Sequence, residues 1–167
     1  MHIYETKRMS FFVFKKEYIK QMNEIWGSQE VMARSGGAVA SVKIPKIVKW
    51  YEDCHKEYGL SVYSLKDKKS NEIIGAAGFN IDASVKRIEL IAHFRKSYWH
   101  KGYATEAITG CIKLAKRHKK VKYIQASCDP KNEASIRIVE KLGFTLLGKE
   151  WFEDTRQEEL VYELRLF

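Results

Sequence analysis

Two periods of apolar residues divide the chain into predicted strands and helices. A period of two predicts a strand over residues 86–94, where the apolar Ile88, Leu90, Ala92 and Phe94 alternate with Glu89, Ile91, His93 and Arg95. After Gly102 the apolar residues recur every three to four positions as far as Ala115, which predicts an amphipathic helix. The same criteria predict strands over residues 8–14, 60–65 and 72–81, and helices over residues 17–32 and 44–58.

The last third of the chain continues the alternation of helix and strand. Residues 122–128 form a predicted strand, and the long connection before it favours a parallel partner. Asn132 is a suitable N-cap and Gly143 a suitable C-cap for the helix between them. A hairpin through residues 153–157 joins two final strands. The predicted order is strand, two or more helices, three strands, helix, strand, helix, strand, strand, which makes a mixed α/β sheet.

The length of 167 residues is that of one domain, so we predict a single domain over residues 1–167. No apolar stretch approaches the ~20 residues of a membrane span, and the N-terminus lacks the apolar core of a signal peptide. The three cysteines form no Cys-x-x-Cys. This pattern favours a reducing cytoplasm and predicts neither a disulfide framework nor a metal site.

The net charge of +9 is concentrated around the predicted helix after Gly102. Residues 95–122 carry nine Lys and Arg residues against one acidic residue, Glu106. The cluster is either a solvated helix face or a surface that attracts a polyanion. We favour the solvated face for residues 113–120. A phosphorylated ligand and nucleic acid are both polyanions of this kind.

The turn between the strand over residues 86–94 and the helix after Gly102 is a candidate phosphate site. A helix N-terminus offers free backbone N–H groups and a positive dipole end, and Gly102 allows a close approach. The turn contains neither a Walker A sequence nor the three glycines of a Rossmann fingerprint.

Two segments resemble the GNAT N-acetyltransferases, and in particular the RimJ/RimL branch that acts on ribosomal-protein N-termini. The segments are Trp-His-Lys-Gly-Tyr-Ala-Thr-Glu-Ala over residues 99–107 and Asn-Glu-Ala-Ser-Ile-Arg-Ile-Val-Glu-Lys-Leu-Gly-Phe over residues 132–144. The resemblance is strong over residues 72–148. It implies the GNAT fold and transfer of an acetyl group from acetyl-CoA, with no metal, directly to a primary amine in a ternary complex.

The resemblance also implies which residues hold acetyl-CoA. The pantetheine arm is bonded by the main chain of Ile91, Ala92, His93 and Phe94, with Asn132 beside it. The pyrophosphate rests on the backbone of the loop, namely Trp99, His100, Lys101, Gly102, Tyr103, Ala104 and Thr105. Two positions depart from the usual family pattern: Trp99 stands at the first place of the loop motif, and His100 stands where the branch usually has glycine.

Two side chains are the candidates for proton transfer. Glu89 matches a carboxylate that many family members use as a base; the alternatives are an ion pair of Glu89 with Lys86 or Arg87, or His93 as the base. Ser135 matches the serine of the branch and is the candidate that protonates or stabilises the leaving thiolate, since the tyrosine of many GNAT enzymes is missing. The alternative for Ser135 and for Asn132 is that they only cap the helix.

The acceptor is an amine-bearing protein, peptide or small molecule, held between residues 17–58 and the hairpin at residues 151–157. A homodimer is compatible with the resemblance; a membrane partner is not expected, and nucleic acid only through a ribosomal substrate. Two other functions stay open: an acyl-CoA-binding sensor without turnover, and a basic ribosome- or RNA-binding module.

Overall fold

The computed structural model describes all residues 1–167 as eight strands in one sheet with helices on both faces. The strand order is β1-β2-β3-β4-β5-β6-β8-β7. The strands are β1 His2–Glu5, β2 Met9–Phe12, β3 Val62–Asp67, β4 Ile73–Asn80, β5 Arg87–Phe94, β6 Tyr123–Cys128, β7 Thr145–Phe152 and β8 Gln157–Arg165. The helices are α1 Ile19–Trp26, α2 Gln29–Met32, α3 Ile44–Tyr58, α4 Tyr103–Arg117 and α5 Glu133–Lys141.

Each face of the sheet has its own hydrophobic core. The larger core packs α4 and α5 against one face and includes Ile88, Leu90 and Phe94 of β5. The smaller core packs α1, α2 and α3 against the other face, where Ile91 of β5 contacts it. Because side chains alternate along a strand, Glu89, Ile91 and His93 all point to the face that carries α1 to α3.

The predicted mixed α/β sheet is confirmed, and several elements have the predicted bounds. The helix at Ile44–Tyr58 begins and ends where its apolar period does, and Gly59 ends it in the left-handed conformation. β6 pairs parallel to β5, and β8 lies between β6 and β7, so the final hairpin forms with β7 at the sheet edge.

The prediction of the first strand was incomplete. A four-residue strand at His2–Glu5 precedes the expected one and pairs antiparallel with it. Its residues are exposed or half-buried, so it carries little of the apolar alternation that identifies a strand in a sequence. The β3 strand also lies about two residues later than expected, at Val62–Asp67.

The helices of the chain are all too short or too polar to cross a membrane.

Candidate functional site

The two parallel strands at the centre of the sheet separate partway along their length. Pairing of β5 with β6 begins at Arg87–Tyr123 and ends at Glu89–Gln125. Beyond Gln125, β6 continues to Cys128 paired only with β8, while β5 continues to Phe94 paired only with β4. A gap therefore opens between the strands at their carboxyl ends, with Glu89 at its closed end.

Backbone groups of β5 point alternately toward β4 and toward the gap. The Lys86 carbonyl accepts hydrogen bonds from the first N–H groups of the β6 segment, whereas the Arg95 N–H donates to β4. Since the direction alternates along a strand, Ala92 shares the direction of Lys86. Its N–H and C=O therefore face the gap, where β6 offers no partner.

The four strand residues predicted to hold the pantetheine arm divide into two pairs by this alternation. Ala92 and Phe94 direct their main-chain groups toward the gap, and Ile91 and His93 direct theirs toward β4. The Phe94 carbonyl already accepts a hydrogen bond of 2.9 Å from the Trp99 indole Nε1, which attaches the loop to the strand. Ala92 is thus the residue whose main chain is best placed for a ligand in the gap.

The loop before α4 contains two residues in the left-handed backbone region. Gly102 is the N-cap of α4 with φ +83°, and His100 has φ +59°. The position where the RimJ/RimL branch usually has glycine therefore keeps a glycine-like backbone, although a side chain occupies it. Such a conformation costs a non-glycine residue about 1–2 kcal/mol, so the loop holds His100 in place against that strain.

Glu106, in the first turn of α4, ties this loop to the turn between β1 and β2. Its carboxylate accepts hydrogen bonds from the Arg8 N–H at 2.8 Å, from Arg8 Nε at 2.7 Å and from the Thr6 hydroxyl. Although burial alone raises the pKa of Glu106, the hydrogen bonds from Thr6 and Arg8 outweigh it and hold that pKa below its ordinary value.

The Glu106 contacts predict a pH-dependent contribution to stability. A carboxyl group with a lowered pKa stabilises the fold above the pKa of the unfolded chain, about 4.3, and loses that effect as the pH falls through the folded-state value. We expect Glu106→Gln to lower the melting temperature at pH 7, and the difference from wild type to shrink below about pH 4. Melting curves of both proteins between pH 3 and 8 measure this difference in melting temperature.

The matched control is Glu133→Gln, which removes an exposed carboxylate from the first turn of α5. Glu133 makes no side-chain hydrogen bond, so only the helix-dipole contribution is lost, and we expect a smaller change. An equal decrease in both variants, or a decrease independent of pH, contradicts the assigned role of Glu106.

The first turn of α5 presents two unused polar groups close to the end of β6. Asn132 caps the helix, because its Oδ1 accepts the Ser135 N–H at 3.2 Å. The predicted capping by Asn132 is thereby confirmed. The Ser135 hydroxyl and the Asn132 amide nitrogen have no hydrogen-bond partner in the protein, and both residues are half-buried. Capping is therefore complete without the Ser135 hydroxyl.

Glu89 lies half-buried beside the closed end of the gap and has no ion pair. Its one side-chain contact is a long hydrogen bond of 3.5 Å from Asn80 Nδ2. Arg87 pairs instead with Glu163 at 3.0 Å, and Lys86 forms no ion pair, so the alternative of a strand ion pair for Glu89 is wrong. Burial raises the pKa of Glu89, and the negative charges of Asp154 and Glu159 raise it further.

Two other groups are poor candidates for proton transfer or covalent chemistry at neutral pH. Burial lowers the pKa of His93 to about 4, and its Nδ1 is buried without a hydrogen-bond partner. Burial raises the pKa of Cys128, the last residue of β6, to about 11. The Cys128 thiol is therefore protonated at neutral pH and a weak nucleophile. All three cysteines are free and buried.

A cleft of about 510 Å³ opens at Glu89 on the face that carries α3. The Trp50 side chain, 64 % exposed on α3, stands at this cleft although most aromatic side chains of the chain are packed. The other polar residues that line the cleft are Asn80, Asp82, Ser84, Arg87 and Gln125. The cleft therefore combines an exposed aromatic face with Glu89 as a half-buried carboxylate.

Sequence reasoning missed two residues near Glu89, Tyr51 and Glu159. Tyr51 packs its ring against Phe14 and Trp26, and burial, followed by the charge of Glu89, raises its pKa. Glu159 comes from the final hairpin, as does Asp154, which lies in the segment predicted to face the acceptor. Glu159 is 5 % exposed and accepts hydrogen bonds from Thr155 and Gln157, without a cation within ion-pair distance.

A signal for Tyr51 was present in the sequence, as a residue with a polar tip on the apolar face of α3. No comparable signal exists for Glu159, since pairing of β8 with β6, a tertiary feature, brings it close to Glu89.

Comparison with known proteins agrees with this geometry. The model of the acetyltransferase (GNAT) domain family matches residues 11–145. A protein of Bacillus subtilis, the uncharacterized protein YkkB, is 28 % identical over 122 residues, which cover 71 % of this chain and 70 % of YkkB.

Solved structures with the same fold cover nearly the whole chain. A GNAT-family acetyltransferase from Bacillus anthracis has a TM-score of 0.82 at 21 % identity, with 99 % of both chains covered. A Salmonella typhimurium acetyltransferase that modifies the N-terminal serine of ribosomal protein L7/L12 has a TM-score of 0.84 at 14 % identity, with 100 % of both chains covered. RimL, solved in complex with coenzyme A, has a TM-score of 0.79 at 13 % identity, covering 99 % of this chain and 98 % of RimL.

The parted strands, the left-handed loop before α4 and the family match together define the class of protein. The chain belongs to the GNAT acetyltransferase family. The structural neighbours, at identities of 21 % and below, show the shared fold.

Proposed function

We propose that the protein is an acetyl-CoA-dependent N-acetyltransferase that acts on a primary amine by direct transfer. One observation carries this proposal: the gap between β5 and β6 begins at Glu89, whose pKa is raised, and opens at the carboxyl ends of the strands, where the loop and α4 follow β5. A candidate base thus lies at the closed end of the gap between the two strands.

The residues of the gap and loop fit acetyl-CoA. Ala92 offers an unpaired N–H and C=O in the gap, and the N-terminus of α4 offers free N–H groups behind Gly102. The proposed contacts of Trp99, His100, Lys101, Tyr103, Ala104 and Thr105 are through the loop backbone. When bound, acetyl-CoA supplies the acetyl group as an activated thioester. That RimL has been solved with coenzyme A supports this assignment.

Glu89 is the proposed general base that removes a proton from the acceptor ammonium. A base works best when its pKa lies close to the working pH, and the burial of Glu89 shifts its pKa in that direction. Nothing in the protein neutralises its charge, so the carboxylate is available to a cationic amine. His93, whose pKa is lowered to about 4, binds that proton much more weakly than an ordinary histidine does.

Ser135 is the proposed donor to the leaving sulfur. Its hydroxyl lies in the first turn of α5, near the end of β6 and beside the unused Asn132 amide. A hydrogen bond from this hydroxyl would stabilise negative charge that develops on the sulfur. The buried Cys128 thiol, with its raised pKa, supports direct transfer over an acetyl-cysteine route.

The acceptor is proposed to bind in the cleft at Glu89 as a cation. Asp82, Glu89 and Arg87 are the charged residues of the cleft lining, and Arg87 is already paired with Glu163. Because the charges of Asp154 and Glu159 also act on Glu89, the local charge is negative in a chain of net charge +9. The exposed face of Trp50 can contact an ammonium group or its alkyl chain. That one structural neighbour modifies a ribosomal-protein N-terminus makes peptide N-termini the first acceptors to test.

The deciding experiment measures release of free coenzyme A from acetyl-CoA with a panel of amines. The panel contains peptides with free α-amines, lysine peptides, polyamines and uncharged amines, with an amine-free reaction as the control. We expect release with at least one cationic amine and an acetylated product by mass spectrometry. Coenzyme A binding without release would instead favour a sensor, and salt-dependent RNA binding without coenzyme A binding would favour an RNA-binding module.

Replacement of Ser135 separates its two possible roles. We expect Ser135→Ala to lower kcat by about 10²-fold, as for loss of a positioned acid, while the affinity for acetyl-CoA stays nearly unchanged. The melting temperature should also be unchanged, because the hydroxyl makes no hydrogen bond in the fold. Steady-state kinetics, calorimetry and melting curves provide the three readouts.

Thr109→Ala is the control for Ser135, since the Thr109 hydroxyl donates at 2.7 Å to the Thr105 carbonyl inside α4. That variant should change stability more than turnover. If Ser135→Ala keeps the wild-type kcat on a verified acceptor, Ser135 has no part in the chemistry.

A further inference from the structure

Arg8, in the turn between β1 and β2, is held at the loop by three contacts. Its Nε donates to Glu106 Oε1 at 2.7 Å, and its Nη1 donates to the Lys101 carbonyl at 3.0 Å. The guanidinium carbon lies 3.9 Å from the centroid of the Tyr103 ring. An arginine side chain that is already held by such contacts loses little further conformational entropy when it binds a ligand.

The third nitrogen of the Arg8 guanidinium, Nη2, has no acceptor in the protein. It lies beside Gly102, where a Cβ would come within 3.3 Å of it. The Arg8 side chain remains 36 % exposed. Two oriented N–H donors are thus available next to the glycine at the N-terminus of α4.

The other basic side chains of the loop are engaged elsewhere or less rigid. Arg95 pairs with Glu24 at 3.0 Å, and Lys96 pairs with Glu30. The Lys101 ammonium donates to the Ser97 carbonyl at 2.9 Å, at the end of a flexible stem. Arg8 alone combines a fixed guanidinium plane with a free donor nitrogen at the loop.

We propose that Arg8 is a further residue of the cofactor site, whose Nη2 binds the pyrophosphate of coenzyme A. The proposal rests on the proposed use of acetyl-CoA. Arginine suits this role because its planar donors match phosphate oxygens and its charge persists at any physiological pH. Lys101 and Glu106 hold the guanidinium, while the backbone N–H groups behind Gly102 provide the remaining donors.

Calorimetry with three ligands tests the contact without relying on turnover. The variant is Arg8→Met, and the ligands are coenzyme A, 3′-dephospho-coenzyme A and pantetheine. We expect about 10- to 100-fold weaker binding of both ligands that contain the pyrophosphate, as for loss of a charge-assisted hydrogen bond, and unchanged binding of pantetheine. Raising the salt concentration should reduce the difference between the two proteins.

Three results would overturn the proposal. A loss with coenzyme A alone would place Arg8 at the 3′-phosphate, and an equal loss with all three ligands would make it a support for the fold of the whole site and not a contact of the pyrophosphate. Equal affinity of Arg8→Met and wild type for coenzyme A, at equal melting temperature, would remove Arg8 from the site.

Two controls separate Arg8 from the proposed function and from general charge. Lys7→Met removes the same charge from the same turn at an exposed side chain without an ion pair, and should leave the coenzyme A affinity within about twofold of wild type. Failure of the wild-type protein to bind coenzyme A would refute the proposed function itself, whatever Arg8 does.

Discussion

Glu89→Gln is expected to lower kcat/KM by about 10²- to 10⁴-fold on a verified amine acceptor, the typical cost of losing a general base. The glutamine keeps the shape of the side chain and can still contact Asn80, which is 3.5 Å from Glu89 Oε1. It cannot accept a proton. Binding of acetyl-CoA should change little, because the proposed contacts of β5 with the cofactor come from main-chain groups.

The pH dependence of the rate distinguishes loss of a base from a general structural effect. The carboxylate is the active form of Glu89, so wild-type kcat/KM should rise as the pH passes through its pKa. Burial raises that pKa, so the rise should lie above the ordinary range of a glutamate.

The Glu89→Gln variant should lack this step and follow the free-amine fraction of the acceptor. Its rate should rise toward pH ~8 for an α-amine or toward pH ~10.4 for a lysine amine.

Glu163→Gln is the matched control for Glu89. Glu163 is a half-buried strand carboxylate on the same face of the sheet, and Arg87 and Gln125 already satisfy it at 3.0 Å each. We expect a small change in rate and no change in the shape of the pH profile. A Glu89→Gln variant with wild-type activity at neutral pH would show that Glu89 is structural. His93, or desolvation of the amine alone, would then be the next candidate.

Gly102→Val is expected to weaken coenzyme A binding by about 10- to 100-fold. Gly102 has φ +83°, and a side chain in this region costs about 1–2 kcal/mol, more for a β-branched residue. The new Cβ would also lie 3.3 Å from Arg8 Nη2 and cover the backbone that is proposed to bind the pyrophosphate. Calorimetry with coenzyme A measures the loss.

Gly59→Val introduces the same strain away from the loop. Gly59 ends α3 with φ +77°, and a Cβ there would meet only the His118 ring at 3.7 Å. We expect both variants to melt at lower temperature, while only Gly102→Val loses affinity. If Gly102→Val binds coenzyme A as wild type does and keeps its fold, the pyrophosphate does not rest on this loop.

Local sequence patterns were enough to predict where α4 begins and which residue caps α5. Gly102 stands at the change from period two to period 3.6, which places it at a helix N-terminus, and the structure puts it there. Asn132 was predicted as a cap from its residue type and spacing, and its Oδ1 accepts the Ser135 N–H. These features depend on residues within four positions of one another, so the local sequence is sufficient to predict them.

The short β1 strand shows where local patterns are insufficient. His2–Glu5 has too few apolar residues to be recognised, and it forms because β2 supplies hydrogen-bond partners. The same turn carries Thr6 and Arg8 to Glu106, about one hundred positions further along the chain. No periodicity in either segment encodes that contact.

By itself, the sequence determined the order of the elements after β1, the parallel placement of β6, the position of Gly102 at the start of α4 and the identity of Glu89 and Ser135 as candidates. Only the tertiary structure decided where β5 and β6 part, that Glu89 has no cationic partner, and that Arg8, Tyr51 and Glu159 belong to the surroundings of the site. The physical reason is the distance along the chain between the groups that interact. Periodicity and capping act between neighbours in the chain, whereas pKa shifts, free donors and strand separation depend on groups brought together from distant elements.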